Sequence, residues 1–291
     1  MFADLHLHTK FSDGTYTPEE LVAQAQFHKL TAISLTDHDT VEGCPRAAAA
    51  CATAGIEFIP GAELTSEHEG VEVHILAYFV DTTHAPFLAE VAKFQAVRQN
   101  RIREMCAKLN ALGIGLQADD VFKLASCHSP GRPHVARALV AGKFCRSLDV
   151  AFDRFLKQDR PAYVPKFKMS AACAIELIHQ AGGLAVMAHP ALNRTDQIIP
   201  AIVETGLDGI EVFHTKHGPA ANKRYMDIAK QFNLLITGGS DCHGMSKGRP
   251  LIGTMKLDYS YVEKMKQRRA EKSSSANSAN FHEADKTIRG N

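Results

Sequence analysis

The stretch AISLTDHDT, residues 32–40, joins a short apolar run to three crowded polar side chains, Asp37, His38 and Asp39. The apolar run has the length and composition of a buried β-strand, and a helix-like stretch over 42–54 follows it. The same order recurs, because helix-like segments separate further strand-like runs at 2–8, 57–64, 183–189, 209–214 and 234–243. This alternation predicts an α/β protein with a mostly parallel sheet.

The strand pattern is interrupted once, between about residues 84 and 162. Apolar residues in this part recur at near-helical spacing, and the first helix is expected to stop at Gly113. We therefore predict a main domain formed by 1–83 and 163–265, with a helical insertion over 84–162. The last segment, 266–291, is rich in Ser, Asn and charged residues and is predicted to be disordered.

Composition limits the class of protein. The chain has 291 residues, 45% apolar and 22% charged, with a net charge of +1 at pH 7. These values fit a globular α/β protein and argue against a surface that coats extended nucleic acid. No signal-peptide pattern and no run of about 18 apolar residues is present, so we expect a soluble cytoplasmic protein without membrane contact. Seven cysteines without a Cys-x-x-Cys pair suit a reducing compartment and disfavour a thiolate zinc site.

Histidines and carboxylates fall at the ends of the predicted strands. His6 and His8 are two residues apart and therefore share one face of a strand. In a parallel α/β barrel the carboxyl ends of all strands meet at one face, so residues at these ends converge. A single histidine at a strand end is usually a capping or surface residue, but many in the same register indicate a metal site. The further strand-end residues are His38, Glu63, His189, His214, Asp241 and His243.

The donor set restricts the metal. Imidazole and carboxylate donors without thiolate suit zinc, manganese or iron(II). The donors outnumber the needs of one ion, and a carboxylate such as Glu63 can bridge two ions about 3.5 to 4 Å apart. Two or three divalent ions are therefore expected. Asp37 and Asp39 are interpreted as groups that orient or polarise His38.

Six short motifs resemble the polymerase and histidinol phosphatase (PHP) group of metal-dependent phosphoesterases, which is related to the amidohydrolases. The motifs are DLHLHT with Asp13 following, TDHD, GAELT, VHILAY, AHP and SDCHG, and the similar regions are 1–83 and 163–255. The resemblance implies a distorted seven-stranded (β/α) barrel of the TIM-like kind, interrupted by the helical insertion. It also implies a trinuclear metal centre.

The resemblance further implies a role for individual residues. One ion is expected to bind His6, His8, Glu63 and Asp241, a second Asp13, His38 and His243, and a third Glu63, His74 and His189. Asp13 departs from relatives that carry histidine at this position, which favours manganese, with zinc or iron as alternatives. His214 has no ligand role in this pattern and is a candidate proton donor or substrate contact, whereas Cys242 is interpreted as a core residue.

The insertion carries a second motif. SPGRPHVARALV places Ser129, Arg132 and His134 at a predicted loop-to-helix junction, and RPAYVPKFK adds Lys166. Backbone N–H groups and a guanidinium favour a phosphate there, although a turn with solvated charges would give the same pattern. The resemblance favours the phosphate, because these stretches are similar to the subgroup acting on nucleotides and RNA 5′ ends. That subgroup includes nucleoside 3′,5′-bisphosphate phosphatases and a 5′-to-3′ exoribonuclease. Three nearby arginines stay unassigned, namely Arg98, Arg101 and Arg103.

These features together predict a phosphoric monoester hydrolase. The expected reaction removes the 3′-phosphate of a nucleoside 3′,5′-bisphosphate, or acts on short 5′-phosphorylated RNA, with a metal-bound hydroxide as nucleophile. Arg132, His134 and Lys166 would anchor the phosphate that does not react. The alternatives are a histidinol phosphate phosphatase, a non-catalytic metal-binding module and an amidohydrolase-type C–N hydrolase. The last is disfavoured because the ligand set has no evident carbamylated-lysine position.

Overall fold

A nearly closed β-sheet forms the centre of the protein. The structure, a computed structural model, describes residues 1–193 and 195–288. Across these residues the sheet has nine strands, which are β1 (Phe2–Asp4), β2 (Ala32–Leu35), β3 (Glu57–His68), β4 (Val71–Tyr78), β5 (Met169–Ser170), β6 (Leu184–Met187), β7 (Gly209–His214), β8 (Leu235–Gly239) and β9 (Leu257–Asp258). Seven of them follow one another around a barrel in the order β1, β2, β3, β4, β6, β7 and β8.

Backbone hydrogen bonds join the end of the last barrel strand to the end of the first. The Leu5 amide donates to the Gly238 carbonyl at 3.2 Å, and the Asp241 amide donates to the His6 carbonyl at 2.9 Å. β4 runs antiparallel to β3 and β6, while the other paired neighbours around the barrel are parallel. The predicted distorted seven-stranded α/β barrel is therefore confirmed, and the reversed β4 is one source of its distortion.

Helices alternate with the strands along much of the chain, and the first of them begins at a clear sequence signal. They are α1 (Pro18–Phe27), α2 (Cys44–Ala54), α3 (Ala85–Ala111), α4 (Ala118–Ala125), α5 (Arg132–Ala141), α6 (Leu148–Ala151), α7 (Ala171–Gln180), α8 (Ile199–Glu204), α9 (Pro219–Gln231) and α10 (Tyr259–Ile288). At the start of α1 the Glu20 amide donates to Thr17 Oγ1 and the Thr17 amide donates to the Glu20 carboxylate, which caps the helix. Within the described residues, none of these helices has both the length and the apolar character that a membrane span requires.

Two apolar clusters fix the barrel strands. The parallel strands β2 and β6 are buried along their entire length, because a parallel sheet is covered on both faces. Ile75 of β4, Met187 of β6 and Ile178 of α7 belong to one buried cluster. Leu5 and Tyr78 belong to another, in which the Tyr78 hydroxyl donates to the Leu5 carbonyl at 2.9 Å. This packing sets the positions of the strand ends that carry the polar residues.

The chain between β4 and β5 folds into helices with a core of their own. α3, α4 and α5 contribute Met105, Val121 and Leu139 to one buried cluster. The first of these helices ends two residues before Gly113, whose φ of 80° lies in the left-handed region that favours glycine. The helical character predicted for this part of the chain is present, and the boundaries 84 and 162 stay a prediction.

The C-terminal segment is helical where disorder was predicted. α10 covers most of residues 266–291, and Lys272 Nζ on this helix lies 2.5 Å from Oδ1 of the buried Asp208. The prediction was wrong for 266–274, because composition alone cannot reveal a buried carboxylate that pairs with this helix. Residues 289–291 of the predicted segment lie outside the described residues.

The substitution Asp208→Asn tests how strongly α10 is held. Burial raises the pKa of Asp208, but hydrogen bonds from His179 and Lys272 outweigh it and keep the pKa below its usual value. The charge therefore adds stability above about pH 4, and this contribution is lost as pH falls through the depressed pKa. At pH 7 we expect the variant to lose about 1–3 kcal/mol of unfolding free energy, measured by urea titration.

The matched control is Asp227→Asn, which removes an exposed ion pair with Lys223 and should leave the urea midpoint unchanged. Equal midpoints for both variants would contradict a stabilising role for the buried Asp208.

Candidate metal centre

Nine side chains that the sequence singled out lie together at one mouth of the barrel. Most of them follow the carboxyl ends of parallel strands, whereas Glu63 lies within β3 and His74 within β4. Because β4 runs in the opposite direction, His74 reaches this mouth from the first half of its strand. The nine side chains are His6, His8, Asp13, His38, Glu63, His74, His189, Asp241 and His243.

Glu63 is the centre of this cluster. Its side chain is buried, and Oε1 lies 2.5 Å from His74 Nδ1 and 3.0 Å from His189 Nε2. The other oxygen, Oε2, lies between 3.1 and 3.3 Å from ring nitrogens of three histidines, namely His6, His8 and His38. The two oxygens of Glu63 therefore face two different sets of imidazoles, as a bridging carboxylate requires.

A second group lies beside the first, around Asp13. His243 Nε2 is 3.1 Å and His38 Nε2 is 4.0 Å from Asp13 Oδ1. The ring of His243 stacks on that of His8, with centroids 4.1 Å apart. Candidate ligand atoms of these four residues all lie within 4.8 Å of one another, so the predicted second ligand set is gathered in one place.

The other predicted sets are gathered to different degrees. His6, His8 and Asp241 offer ligand atoms within 4.8 Å of one another, and Glu63 Oε2 lies 3.3 Å from both histidines. The predicted third set does not form one such group within the described residues. Instead Glu63 groups with His38 and His74 on one side, and with His6 and His189 on the other.

The donors fit divalent metal ions. Five buried atoms of the cluster form no hydrogen bond of good geometry in the described part of the chain, and three of them are His8 Nε2, Asp13 Oδ1 and His38 Nδ1. A buried polar atom without a partner costs free energy, and a cation at the centre of the cluster would satisfy all three. The donor set contains no thiolate, because Cys242 packs in an apolar cluster as predicted. Imidazole and carboxylate donors of this kind suit zinc, manganese or iron.

The histidines keep the central carboxylates ionised. Burial raises the pKa of Glu63, but the charges of His38 and His74 outweigh burial and hold that pKa well below its usual value. Burial likewise opposes ionisation of Asp13, and His243 together with His38 lowers its pKa well below the usual range. Both carboxylates are therefore anionic at neutral pH, which is the form that binds cations.

Glu211 belongs to the site, although the sequence analysis did not select it. The residue lies in β7 and is fully buried, with Oε1 3.0 Å from His6 Nδ1. Its Oε2 accepts from the His189 amide at 2.7 Å. A carboxylate in this position fixes the ring orientation of a ligand histidine. The available signal was a glutamate inside the otherwise apolar strand GIEVF, where an unpaired charge would be costly.

The expected role of Asp37 and Asp39 is corrected. Asp37 accepts from the Thr9 amide at 2.7 Å and from Ser12 Oγ at 2.5 Å. Asp39 Oδ2 accepts from Arg98 Nε at 2.7 Å. Within the described residues neither carboxylate is hydrogen-bonded to the intervening histidine. They hold the adjacent loop and the insertion instead, because side chains of consecutive residues point in different directions.

The insertion holds the backbone of two predicted ligands. Ser129 Oγ donates to the His38 carbonyl at 2.6 Å, and Arg137 Nη2 donates to the Asp13 carbonyl at 2.6 Å. Both bonds connect the region of α5 to loops at the barrel mouth. The insertion therefore supports the geometry of the candidate metal centre.

The four predicted substrate contacts differ in their surroundings. The hydroxyl of Ser129 is committed to the backbone bond just described, and His134 Nδ1 accepts from the Gly131 amide at 3.0 Å. His134 is buried, and burial lowers its pKa to about 4, so the ring is neutral at pH 7. Arg132 forms no ion pair with any described residue, whereas Lys166 does, with Glu72.

His214 lies below the cleft rather than in it. Its side chain is fully buried, with Nε2 3.6 Å from Asp241 Oδ2, and Nδ1 accepts from the Lys216 amide at 3.1 Å. This position allows His214 to orient Asp241, while direct contact with a substrate would require the ring to be uncovered.

An open cleft of about 310 Å³ leads to the cluster. Leu192 and Asn193 line one side of it. At another edge Lys166 Nζ lies 2.8 Å from Glu72 Oε1, which in turn lies 3.2 Å from His74 Nε2. The Glu72 carboxylate therefore contacts both Lys166 and the candidate metal ligand His74.

The barrel and its donor cluster define a metal-dependent hydrolase. The family model described as the PHP domain matches residues 4–150, and the chain belongs to the PHP domain family. A 5′-3′ exoribonuclease of Haemophilus influenzae is 34% identical to this chain over 82% of it and 89% of the relative. A 3′,5′-nucleoside bisphosphate phosphatase of Chromobacterium violaceum is 32% identical over 86% of this chain and 90% of the relative.

A solved structure is similar along nearly the whole chain. It is a protein of Bifidobacterium adolescentis described as a suspected metal-dependent phosphoesterase, with a TM-score of 0.83 and 34% identity over 90% of this chain and 94% of that one. These similarities and the donor cluster together confirm the predicted class of enzyme, a hydrolase of phosphoesters.

Glu211→Gln tests whether Glu211 orients His6. The amide keeps the shape of the side chain but removes the charge that favours one tautomer of the ring. We expect metal affinity to fall by about 10- to 100-fold, measured by titration of the metal-free protein with Mn²⁺ in a calorimeter. An unchanged affinity would show that His6 needs no carboxylate partner.

Proposed function

We propose that the protein is a metal-dependent phosphatase that removes the 3′-phosphate of nucleoside 3′,5′-bisphosphates, and that short RNA with a 5′-phosphate is a second substrate. The observation that carries the proposal is the position of Lys166 beside the donor cluster, one carboxylate away from His74. A bisphosphate uses both parts of such a site, since one phosphate can bind the metal centre while cations hold the other. The relatives from H. influenzae and C. violaceum support a nucleotide or RNA substrate.

The nine donors would hold two or three ions, and a trinuclear manganese centre is the form we favour. Oxygen donors from Asp13, Glu63 and Asp241 accompany the imidazoles, and this mixture suits manganese better than a site made of histidine or cysteine alone. When bound, such ions lower the pKa of a coordinated water and neutralise charge on phosphoryl oxygens. Glu63 would keep two sets of ligands at a fixed distance from each other, because each of its oxygens faces one set. Glu211 would fix the orientation of the His6 ring.

The chain's own residues would position the substrate. Arg132 and Lys166 would supply positive charge to the phosphate that does not react, while Ser129 and His134 would maintain the loop through their bonds to backbone groups. Holding the second phosphate restricts the first to the metal centre, which raises the rate by orientation. His214 would act by orienting Asp241, since its ring is buried behind that carboxylate.

A comparison of substrates tests the proposal. The manganese-loaded protein is given a nucleoside 3′,5′-bisphosphate, a nucleoside 3′-monophosphate, a nucleoside 5′-monophosphate and histidinol phosphate, and released phosphate is measured. We expect kcat/KM for the bisphosphate to exceed that for either monophosphate by about 10- to 100-fold, because one charge-assisted phosphate contact contributes about 1.5–3 kcal/mol.

Each alternative has its own signature in the same assay. Preferential turnover of histidinol phosphate would replace the nucleotide assignment by a histidinol phosphate phosphatase. Metal binding without release of phosphate from any of the four compounds would favour a non-catalytic module. Equal, slow release from all four would contradict the mononucleotide assignment, and 5′-phosphorylated RNA would then be the substrate to test.

Glu63→Gln tests the metal centre itself. The amide cannot bridge two cations, so we expect the affinity for manganese to fall by more than the roughly 10- to 100-fold that is typical when a residue that only orients a metal ligand is replaced. Release of phosphate should be lost together with the metal. Metal content after dialysis is measured by mass spectrometry. Glu67→Gln is the matched control, because Glu67 lies on the same strand but away from the cluster. A Glu63 variant that retains the wild-type metal content would contradict the bridging role.

A further inference from the structure

One side chain in the cleft differs in character from the others that line it. Leu192 is 48% exposed and lines the cleft at the candidate metal centre beside Asn193. A single exposed leucine on an open surface is ordinary, but an apolar side chain in a cleft of charged donors offers a ligand a contact that the donors cannot. The other lining residues in the described part of the chain are His38, Glu63, Glu72, His74, His189, Asp241 and His243.

The backbone fixes this leucine relative to the candidate ligands. A short 3₁₀ turn over Pro190–Asn193 follows His189 directly, and the Leu192 amide donates to the His189 carbonyl at 2.9 Å. The His189 amide in turn donates to Glu211 Oε2 at 2.7 Å. Short hydrogen bonds therefore join the turn to the glutamate that also contacts the ring of His6.

The chain enters the turn through an unusual backbone conformation. His189 has a φ of 26°, in the left-handed region that residues other than glycine rarely adopt. Such conformations persist where the surroundings hold them, and they concentrate at binding and catalytic sites. Pro190 is buried, and Ala191 packs against the apolar cluster that contains Met187, so both residues anchor the turn. The side chain of Leu192 is left outside this packing.

Asn193 adds a polar group next to the leucine. Within the part of the chain that the structure describes, its half-buried side chain makes one hydrogen bond, from Nδ2 to Met187 Sδ at 4.0 Å. Because sulfur is a weak acceptor, the amide retains most of its capacity to bind a ligand. An apolar side chain beside an amide suits a nucleobase, which has flat apolar faces and an edge of hydrogen-bonding groups.

The order of groups in the cleft agrees with the proposed reaction. When the reacting 3′-phosphate lies at the donor cluster, the leaving nucleoside lies directly beside it in the same cleft. The cleft, of about 310 Å³, is at the small end of the range for ligand pockets, about 300–1,000 Å³, which suits one nucleotide. Leu192 is three residues from His189, so a base that contacts it carries a phosphate within reach of the candidate ligands.

We propose that Leu192 packs against the nucleobase of the substrate and that Asn193 forms a hydrogen bond with the edge of that base. The turn is then the subsite for the leaving nucleoside. The inference rests on the function proposed above, and it assigns a role to two residues that the sequence analysis did not select. It means that the base contributes to recognition in addition to the phosphates.

Matched ligands separate the contribution of the base from that of the phosphates. Turnover by the manganese-loaded protein is compared between 2′-deoxyadenosine 3′,5′-bisphosphate and its abasic analogue, 1,2-dideoxyribose 3,5-bisphosphate, which carries the same two phosphates. Binding of adenosine 5′-monophosphate and of ribose 5-phosphate is measured by calorimetry, because this pair reports on the base without a reaction.

The variants are Leu192→Ala, Leu192→Met and Asn193→Ala. The matched control is Leu112→Ala, because Leu112 is 49% exposed and lies at the end of α3, outside the lining of the cleft. The metal content of each variant is measured by mass spectrometry, so that a loss of bound ions is not mistaken for a loss of contact with the base.

We expect Leu192→Ala to lower the nucleotide-to-abasic ratio of kcat/KM by about 3- to 10-fold, because a half-exposed leucine has only its free surface left for the base. The affinity for adenosine 5′-monophosphate should fall by a similar factor. Leu192→Met keeps an apolar side chain of similar size and should retain the wild-type ratio. Asn193→Ala should lower the ratio by about 2- to 10-fold through loss of one hydrogen bond, and Leu112→Ala should behave as wild type.

Failure of this inference is distinguishable from failure of the proposed function. An unchanged ratio and an unchanged affinity for adenosine 5′-monophosphate in Leu192→Ala would overturn the contact with the base, even if the bisphosphate remained the best substrate. An equal fall for the nucleotide and its abasic analogue would also overturn it, because Leu192 would then act on the sugar or on the metal centre. Binding of adenosine 5′-monophosphate that depends on Leu192, without release of phosphate from either bisphosphate, would support the subsite and overturn the proposed reaction.

Discussion

The buried carboxylate of Glu63 is the constraint on which the rest of the structure depends. A buried charge is tolerated only when opposite charges or strong donors surround it. Five imidazoles carried by four separate segments of the chain face its two oxygens, and they can do so only if the strands close into a barrel in one register. The fold and the candidate metal centre are therefore one arrangement, because a slipped strand would remove a partner from Glu63.

The insertion completes this arrangement from outside. Bonds from Ser129 and Arg137 fix the carbonyls of His38 and Asp13, and Arg98 pairs with Asp39. The same helices carry Arg101 and Arg132, which form no ion pair with a described residue. In the proposed function, the elements that would hold the substrate are thus the elements that hold the loops of the candidate ligands, which would couple binding of a second phosphate to the geometry of the metal centre.

Most of the candidate site could be predicted from strand register. The parts that could not be predicted were missed for one common reason. His6, His38 and Asp241 stand out because polar residues at the ends of apolar strands recur with the same spacing. Glu211 is harder to recognise, because it lies inside a strand and its importance depends on which residue faces it. The disorder predicted for 266–274 failed in the same way, since composition does not reveal a buried partner.

The sequence by itself determined the alternation of strands and helices and the presence of a helical stretch between β4 and β5, and it indicated which residues are candidate donors, because these follow from local patterns of apolar and polar side chains. Only the tertiary structure decided how the donors group around Glu63, that Asp37 and Asp39 hold loops instead of His38, and that Arg101 is buried without a counter-ion. The physical reason is that charge compensation depends on distance and burial in space, and neither is encoded in the spacing of residues along the chain.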